Sequence, residues 1–274
     1  MKKYLIALDL DGTLLYDWNT LKQSTNDYIS SVIKQGHSVV IATGRPYRSS
    51  ERFYDALNLD TPLINYNGSL ITAKHRDDFK PRVLTLSKDD VIKLFKETKP
   101  IVENAFCEIR DDIYLLNQSN DISDLLHFFN GARLFEGAFD ETLVGDPNGC
   151  IVIAKKNRGY DFEAHIKNHY SEKMLARNWG DNYSSVIEVF NPKTNKGAAL
   201  DYVAEYLGFS RENIIAFGDG HNDIEMLQYA GIGIAMANSH PELLDVADII
   251  SPYTNQEHAI EYHLDILLNK GGSD

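Results

Sequence analysis

The stretch Tyr4-Leu5-Ile6-Ala7-Leu8-Asp9-Leu10-Asp11-Gly12-Thr13 lies near the start of a 274-residue chain. Tyr4 to Leu8 is an apolar run of the length of one buried strand. It stops at a carboxylate, a second carboxylate follows two residues on, and Gly12 permits a sharp turn. Because Asp9 interrupts the run, it reads as neither a signal peptide nor a membrane span. No later stretch approaches the roughly 18 uncharged apolar residues a span needs.

Outward from this strand the pattern repeats. Ser24 to Gln35 has helical period, with Tyr28, Ile29, Val32 and Ile33 on one side. Ser38 to Ala42 predicts a second buried strand, closed by Thr43-Gly44-Arg45-Pro46. Tyr47 to Leu57 predicts a helix and Pro62 to Asn65 a short strand, with a tight turn at Asn67-Gly68. The last third has the same texture: helix Gly197–Leu207, strand Asn213–Phe217, a helix from Asp223 to Tyr229 and strand Gly231–Ala235. Helix Pro241–Val246, strand Asp248–Ile250 and helix Glu257–Leu268 follow. Strands separated by helices imply βαβ units and a parallel sheet, hence an α/β core.

The middle differs. Helices near Lys88–Thr98, Ile122–Asn130 and Tyr160–Tyr170 accompany strands at Ile101–Glu108, Ile113–Asn117, Cys150–Lys155, Lys173–Trp179 and Ser184–Val189. Strands without intervening helices imply antiparallel pairing, so this is an α+β domain inserted into the core. The expected division is 1–81 and 190–274 for the core and 82–189 for the insert.

Composition narrows the function. With 43% apolar and 24% charged residues the chain is globular, and its formal charge is −13. That charge disfavours nucleic acid and anionic lipid as partners. It leaves room for carboxylates that hold a divalent cation and so make a local site for phosphate. Cys107 and Cys150 lie far apart in sequence and read as ordinary reduced thiols, with a single disulfide left open. The histidines are scattered without metal-ligand spacing.

Four pieces carry chemistry. Asp9 and Asp11 sit at the carboxyl end of the first strand, where open α/β sheets bind ligands. One can serve as a nucleophile, the other as a general acid and base, and together they invite Mg²⁺. Gly218-Asp219-Gly220-His221-Asn222-Asp223 repeats the arrangement after another buried strand. There Asp219 adds a metal ligand, while Asp223 ligates through water or orients a basic residue; helix capping by Asn222 or Asp219 is compatible with either. Thr43-Gly44 offers a hydroxyl and backbone N–H groups for phosphate oxygens. Lys196, in Asn195-Lys196-Gly197, stands at a helix start, unfavourable with the macrodipole, which points to a phosphate counter-charge. Arg45, Tyr47 and Arg48 read as a surface helix face rather than site lining. Arg177, Asn178, Trp179, Asn182 and Tyr183 read as a hairpin or as a loop that meets a sugar or aromatic ring.

In this order, D-L-D-G-T, A-T-G-R, N-K-G and G-D-G-H-N-D resemble the four motifs of the haloacid dehalogenase-like (HAD) superfamily of phosphotransferases. The insert resembles the C2-type cap of its Cof-like sugar-phosphatase subfamily. Asn67-Gly68, Met236-Ala237-Asn238 and Ala247-Asp248 extend the likeness nearly end to end, while His221 and His258-Ala259 depart from commoner residues. The resemblance implies a Rossmann-like parallel-sheet core and a Mg²⁺-dependent phosphomonoester hydrolase acting on small phosphorylated metabolites. It further implies that Asp9 attacks phosphorus and that Asp11 protonates the leaving group and then activates water. Mg²⁺ would sit on the Asp9 carboxylate, the Asp11 carbonyl and Asp219, with Asp223 close by. Thr43, Gly44, Lys196 and Asn222 would hold the phosphoryl oxygens. A cap closing over the site would exclude water and select the leaving group. A phosphosugar mutase and a non-catalytic sensor of a phosphorylated ligand are the alternatives; dehalogenation does not need the Mg²⁺ site. A cytoplasmic monomer or homodimer without nucleic-acid or membrane partner completes the expectation.

Overall fold

The computed structural model describes residues 2–119, 122, 125–127, 131–179 and 185–269. In chain order the strands are β1 (Leu5–Leu8), β2 (Ser38–Ile41), β3 (Leu63–Asn65), β4 (Leu70–Thr72), β5 (Arg82–Val83), β6 (Val102–Ile109) and β7 (Asp112–Leu115). They continue as β8 (Leu134–Glu136), β9 (Gly149–Ala154), β10 (Leu175–Asn178), β11 (Val186–Phe190), β12 (Ile214–Gly218), β13 (Ile232–Ala235) and β14 (Ile249–Ile250). The α-helices among the described residues are α1 (Gln23–Lys34), α2 (Tyr47–Ala56), α3 (Lys88–Thr98), α4 (Phe139–Thr142) and α5 (Gly159–His169). After them come α6 (Lys196–Leu207), α7 (Ile224–Tyr229), α8 (Pro241–Leu244) and α9 (Ala259–Asn269).

The chain divides into two compact units: 1–45, 50–82 and 195–274 form the first, and 46–49 with 83–194 the second. In the first, five strands pair in the order β14-β13-β12-β1-β2, every neighbour parallel. β1 lies inside this sheet and all four of its side chains are fully buried. This is why its sequence is a continuous apolar run rather than an alternation. Val40, Ala199, Leu200, Val203, Ile214, Ala216 and Met226 pack with Leu5 and Ala7 into one core. Parallel order leaves the ends of β1, β2 and β12 at one edge, so Asp9, Thr43 and Asp219 emerge together.

The strand expected at 62–65 is β3 and the expected turn follows it: the chain turns back through Tyr66–Gly68, and β3 pairs antiparallel with β4, Leu63 opposite Thr72. Tyr66 at φ 50° and Asn67 at φ 55° make the reversal, both left-handed, a conformation that Asn tolerates better than most residues. A single parallel bridge, Ala42 to Ile64, ties β3 to the end of β2.

The second unit is a six-stranded sheet in the order β10-β11-β9-β6-β7-β8. Its pairs are antiparallel except β7 with β8. Alternate residues Ala105, Cys107, Cys150, Val152, Ile187 and Val189 face α3 and α5, joining Val91, Leu94, Phe162 and Ile166 in the core. Phe106, Ile113, Leu115 and Ile153 form a second cluster with Ile122 and Leu126. The helix expected at 122–130 falls largely outside the described residues, and the strand at 134–136 has no counterpart in the sequence reading. β8 is short and largely exposed, so no apolar pattern marks it.

Cys107 and Cys150 stand directly opposite each other on β6 and β9. Both thiols are free and buried, with the sulfurs 2.8 Å apart. Burial, and then the neighbouring thiol, pushes Cys107 well above the usual thiol range. Thiolate rather than thiol is the nucleophile. Because both side chains are buried, neither cysteine should react with iodoacetamide in the native protein at neutral pH, and both should react after denaturation; peptide mass mapping under the two conditions checks this.

Candidate active site

Three chain segments build the site around one buried ammonium. The β1 ladder extends one residue, the Asp9 amide donating to the Phe217 carbonyl at 3.1 Å, so Asp9 leaves the sheet beside the end of β12. The chain then makes a wide turn, Leu14 N–H to Asp9 O and Leu15 N–H to Leu10 O. Gly12 has φ 75°, and a Cβ there would lie 2.2 Å from Asp219 Oδ2. Glycine is required on both counts. Thr13 Oγ1 donates to Asp219 Oδ1 at 2.8 Å, and Asn238 Nδ2 donates to the Gly12 carbonyl at 2.9 Å.

After β12 the loop is held by Asp223, whose Oδ2 accepts the N–H groups of Asp219 at 3.1 Å and Gly220 at 2.9 Å. Asp223, not Asn222 or Asp219, is thus the residue that satisfies these amides. Asn195 caps α6 by accepting the Ala198 amide at 2.6 Å, which sets Lys196 at the first helical position. Gly197 has no room for a Cβ, which would meet the Glu225 carbonyl at 2.3 Å, so α6 packs closely on α7.

Lys196 is fully buried. Its Nζ donates to Asp9 Oδ1 at 2.5 Å and to Asp223 Oδ1 at 2.6 Å. Burial works against its charge, but Asp223 and Asp9 outweigh it and keep the ammonium protonated beyond the usual lysine range. Burial pushes Asp9 well above the usual carboxylate range; Lys196 opposes that rise, and Asp223, Asp219 and Asp11 add to it. Asp219 is pushed up to about 7 by burial and by Asp223, with the Thr13 hydroxyl acting the other way. One oxygen each of Asp9, Asp219 and Asp223 lies within 4.8 Å of the others. Three hard oxygen donors crowded against a single ammonium fit a small divalent cation such as Mg²⁺, whose charge would offset the burial and the mutual repulsion that lift Asp9 and Asp219.

Asp11 is elsewhere. Its side chain is 30% exposed, and Arg45 holds it through Nε to Oδ2 at 2.7 Å and Nη2 to Oδ1 at 2.5 Å. Its carboxylate is not in the three-carboxylate group.

At the end of β2, Thr43 is fully buried, its N–H donating to Ile64 O at 2.9 Å and its Oγ1 accepting the Arg45 amide at 3.1 Å. Gly44 is exposed, and a Cβ on it would lie 3.2 Å from Asn67 Oδ1 and 3.6 Å from Asn222 Nδ2. Asn222 Nδ2 donates to Asn67 Oδ1 at 2.8 Å, and the Asn67 amide donates to Thr43 O at 3.0 Å. Thr43, Gly44 and Asn222 therefore come together, with Asn67 as a fourth member. The Asn-Gly pair that signalled a turn was the available clue to Asn67, but its side-chain partner lies 155 residues away.

Two arginines overturn their surface-face assignment: Arg45 is 3% exposed and Arg48 2%. Arg45 precedes α2 and turns to Asp11. Within the second unit Arg48 pairs with Glu108, and it donates to the carbonyls of Leu126 at 2.6 Å and His127 at 2.8 Å. Helical period reads arginine as solvent-facing; acceptors distant in sequence make burial tolerable. Tyr47 is half-buried. Of the polar stretch 177–183, Arg177 lies over the Phe190 ring at 5.1 Å and Asn178 ends β10, whereas Asn182 and Tyr183 lie outside the described residues.

Carboxylates clustered after two parallel strands and closed on a buried lysine at the start of α6 make a site with the donors that a cation and a phosphate group need. The family model for haloacid dehalogenase-like hydrolases matches residues 6–264. The chain is 35% identical over 261 residues to the 5-amino-6-(5-phospho-D-ribitylamino)uracil phosphatase YitU of Bacillus subtilis (strain 168), covering 94% of this chain and 95% of that protein. It is 27% identical over 260 residues to the pyridoxal phosphate phosphatase YbhA of Escherichia coli (strain K12), covering 91% and 93%. A haloacid dehalogenase-like hydrolase from Bacteroides thetaiotaomicron has the same fold, with a TM-score of 0.82 at 22% identity over 97% and 100% of the two chains. The chain belongs to the haloacid dehalogenase-like hydrolases. It is a phosphatase of the Cof-like kind, and the second unit corresponds to the cap of that fold. Among the described residues no helix is long and apolar enough to cross a membrane.

Removing the ammonium while leaving its partners buried is costly. Lys196→Met should lower the stability of the metal-free protein by about 3–5 kcal/mol. Urea denaturation with and without Mg²⁺ reads this, and Mg²⁺ should recover part of the loss.

Proposed function

We propose that this phosphatase hydrolyses phosphomonoesters of small metabolites, sugar phosphates among them, with Asp9 as nucleophile and Asp11 as general acid and base. The observation that carries the reading is the separation of the two carboxylates. Asp9 is buried against Lys196 and the other acids, whereas Asp11 is partly exposed and held by Arg45 alone among the described side chains. Different surroundings suit different roles. The names of YitU and YbhA, two phosphatases of small phosphorylated compounds, support the substrate class.

In this reading an Asp9 oxygen attacks phosphorus in line, and the ester P–O bond breaks as Asp11 gives its proton to the departing oxygen. The resulting aspartyl-phosphate is then attacked by water, whose proton passes to the Asp11 carboxylate, and the Asp9 carboxylate is regenerated. Lys196, the Thr43 hydroxyl, the Gly44 backbone and Asn222 bind the phosphoryl oxygens and stabilise the charge that spreads over them. Asp9, the Asp11 carbonyl, Asp219 and Asp223 are the groups that would hold Mg²⁺. Bound there, the cation would supply charge neutralisation between carboxylate and phosphate. The proposed division is a core of 1–81 and 190–274 with a cap at 82–189, the cap carrying the selection of the leaving group.

Phosphate release from p-nitrophenyl phosphate with Mg²⁺ tests this. Asp9→Asn and Asp11→Asn should each lower steady-state turnover by at least about 10²-fold. EDTA should abolish it and excess Mg²⁺ restore it. Turnover of Asp9→Asn close to wild type would end the nucleophile assignment, and phosphate moved to another position of a sugar rather than to water would indicate a mutase.

A further inference from the structure

Arg45 has no role in the mechanism above, yet no other arginine in the first unit is so deeply buried among the described residues. We propose that Arg45 is the positioning residue for Asp11, its guanidinium fixing the direction in which that carboxyl passes a proton to the departing oxygen. This inference rests on the assignment of Asp11 as general acid and base.

The geometry is that of a clamp. Nε and Nη2 each reach a different oxygen of Asp11, so the carboxylate is fixed in plane as well as in place. A lysine, offering one point charge, would leave the plane free to rotate. The clamp is itself anchored. Nη2 also donates to the Trp18 carbonyl at 2.5 Å, and the guanidinium carbon lies 4.8 Å from the Trp18 ring centroid and 5.5 Å from that of Phe53. The backbone is held as firmly: the Arg45 amide donates to Thr43 Oγ1, and its carbonyl accepts from Asn65 Nδ2 at 3.0 Å and the Tyr66 amide at 3.2 Å. Asp11 has no such support of its own, lying beside Gly12 in a wide turn where its neighbours leave 30% of the side chain exposed.

The exposure gradient gives the pair a direction. The guanidinium side chain is 2% exposed and the carboxylate 30%, so the base of the pair is rigid and its tip open to an arriving ester. When Asp11 bears the proton, one oxygen still accepts from the guanidinium while the other presents its O–H, so orientation survives the transfer. Nη1 is buried and has no hydrogen-bond partner among the described residues.

A misaligned acid slows departure of a strongly basic alkoxide but matters little to dinitrophenolate, which leaves unprotonated. The test compares the burst rate of enzyme phosphorylation, with Mg²⁺ at one pH, for a primary alkyl phosphate and for 2,4-dinitrophenyl phosphate. Release of one equivalent of alcohol or phenol, with the phospho-enzyme followed by intact mass, reads the first half-reaction alone.

Asp11→Asn should lose the alkyl ester by about 10²-fold or more relative to the dinitrophenyl ester. Arg45→Ala should show the same selectivity to a lesser degree, about tenfold. Arg45→Lys should fall between wild type and Arg45→Ala, and millimolar guanidinium should restore the alkyl-ester rate of Arg45→Ala preferentially. A general loss of folded enzyme would depress both esters by one factor. That outcome for Arg45→Ala and Arg45→Lys, with selectivity retained in Asp11→Asn, overturns the positioning role and leaves the acid assignment standing. Absence of selectivity in Asp11→Asn overturns both.

Discussion

A fully buried lysine ammonium held by two buried carboxylates is the constraint on which the site depends. Such a charge cannot be left in a protein interior without partners, because removing it from water costs several kcal/mol. The end of β1, the first turn of α6 and the loop after β12 must therefore converge, since they supply Asp9, Lys196 and Asp223. The same burial that makes the ammonium costly lifts Asp9 and Asp219 above the usual carboxylate range. Three acids around one base leave an excess of negative charge, which is the electrostatic condition for holding a hard cation and, with it, a phosphate.

Close approach of backbone makes that convergence geometrically feasible. Cβ atoms at Gly12 and Gly218 would overlap Asp219 and Asp223 respectively. The wide turn after Asp9 sends successive acids to different surroundings, the first into the ion cluster and the second onto Arg45. Chemistry that needs a nucleophile and a separate proton carrier is served by this divergence of two residues adjacent but one.

The apolar runs at Leu5–Leu8, Ser38–Ile41 and Ile214–Gly218 were legible because strands buried on both faces leave no alternation to confuse them. The antiparallel character of the middle followed from consecutive strands without helices between them. β4, β5 and β8 were missed: the first is three residues after a turn, the second is two residues long, and the third is exposed and short. Asp9, Asp11, Lys196, Asp219 and Asp223 stood out in sequence because acids and a lysine at strand ends and a helix start have little business there otherwise. Asn67 and Arg45 did not, since nothing local marks an asparagine in a turn or an arginine before a helix as a partner for a distant side chain. The cysteine pair shows the same limit, 43 residues apart in sequence and opposite in register.

By itself the sequence determined the alternation of strands and helices, the identity of the charged residues at strand ends, and the glycines beside them. These are properties of local pattern, governed by hydrophobic period and backbone freedom. Only the tertiary structure decided which acids share the lysine, which one turns to Arg45, and which asparagines face Gly44. Those outcomes depend on the register of parallel strands and on packing, which buries groups from positions 9, 196 and 223 together, where each charge must find its partner.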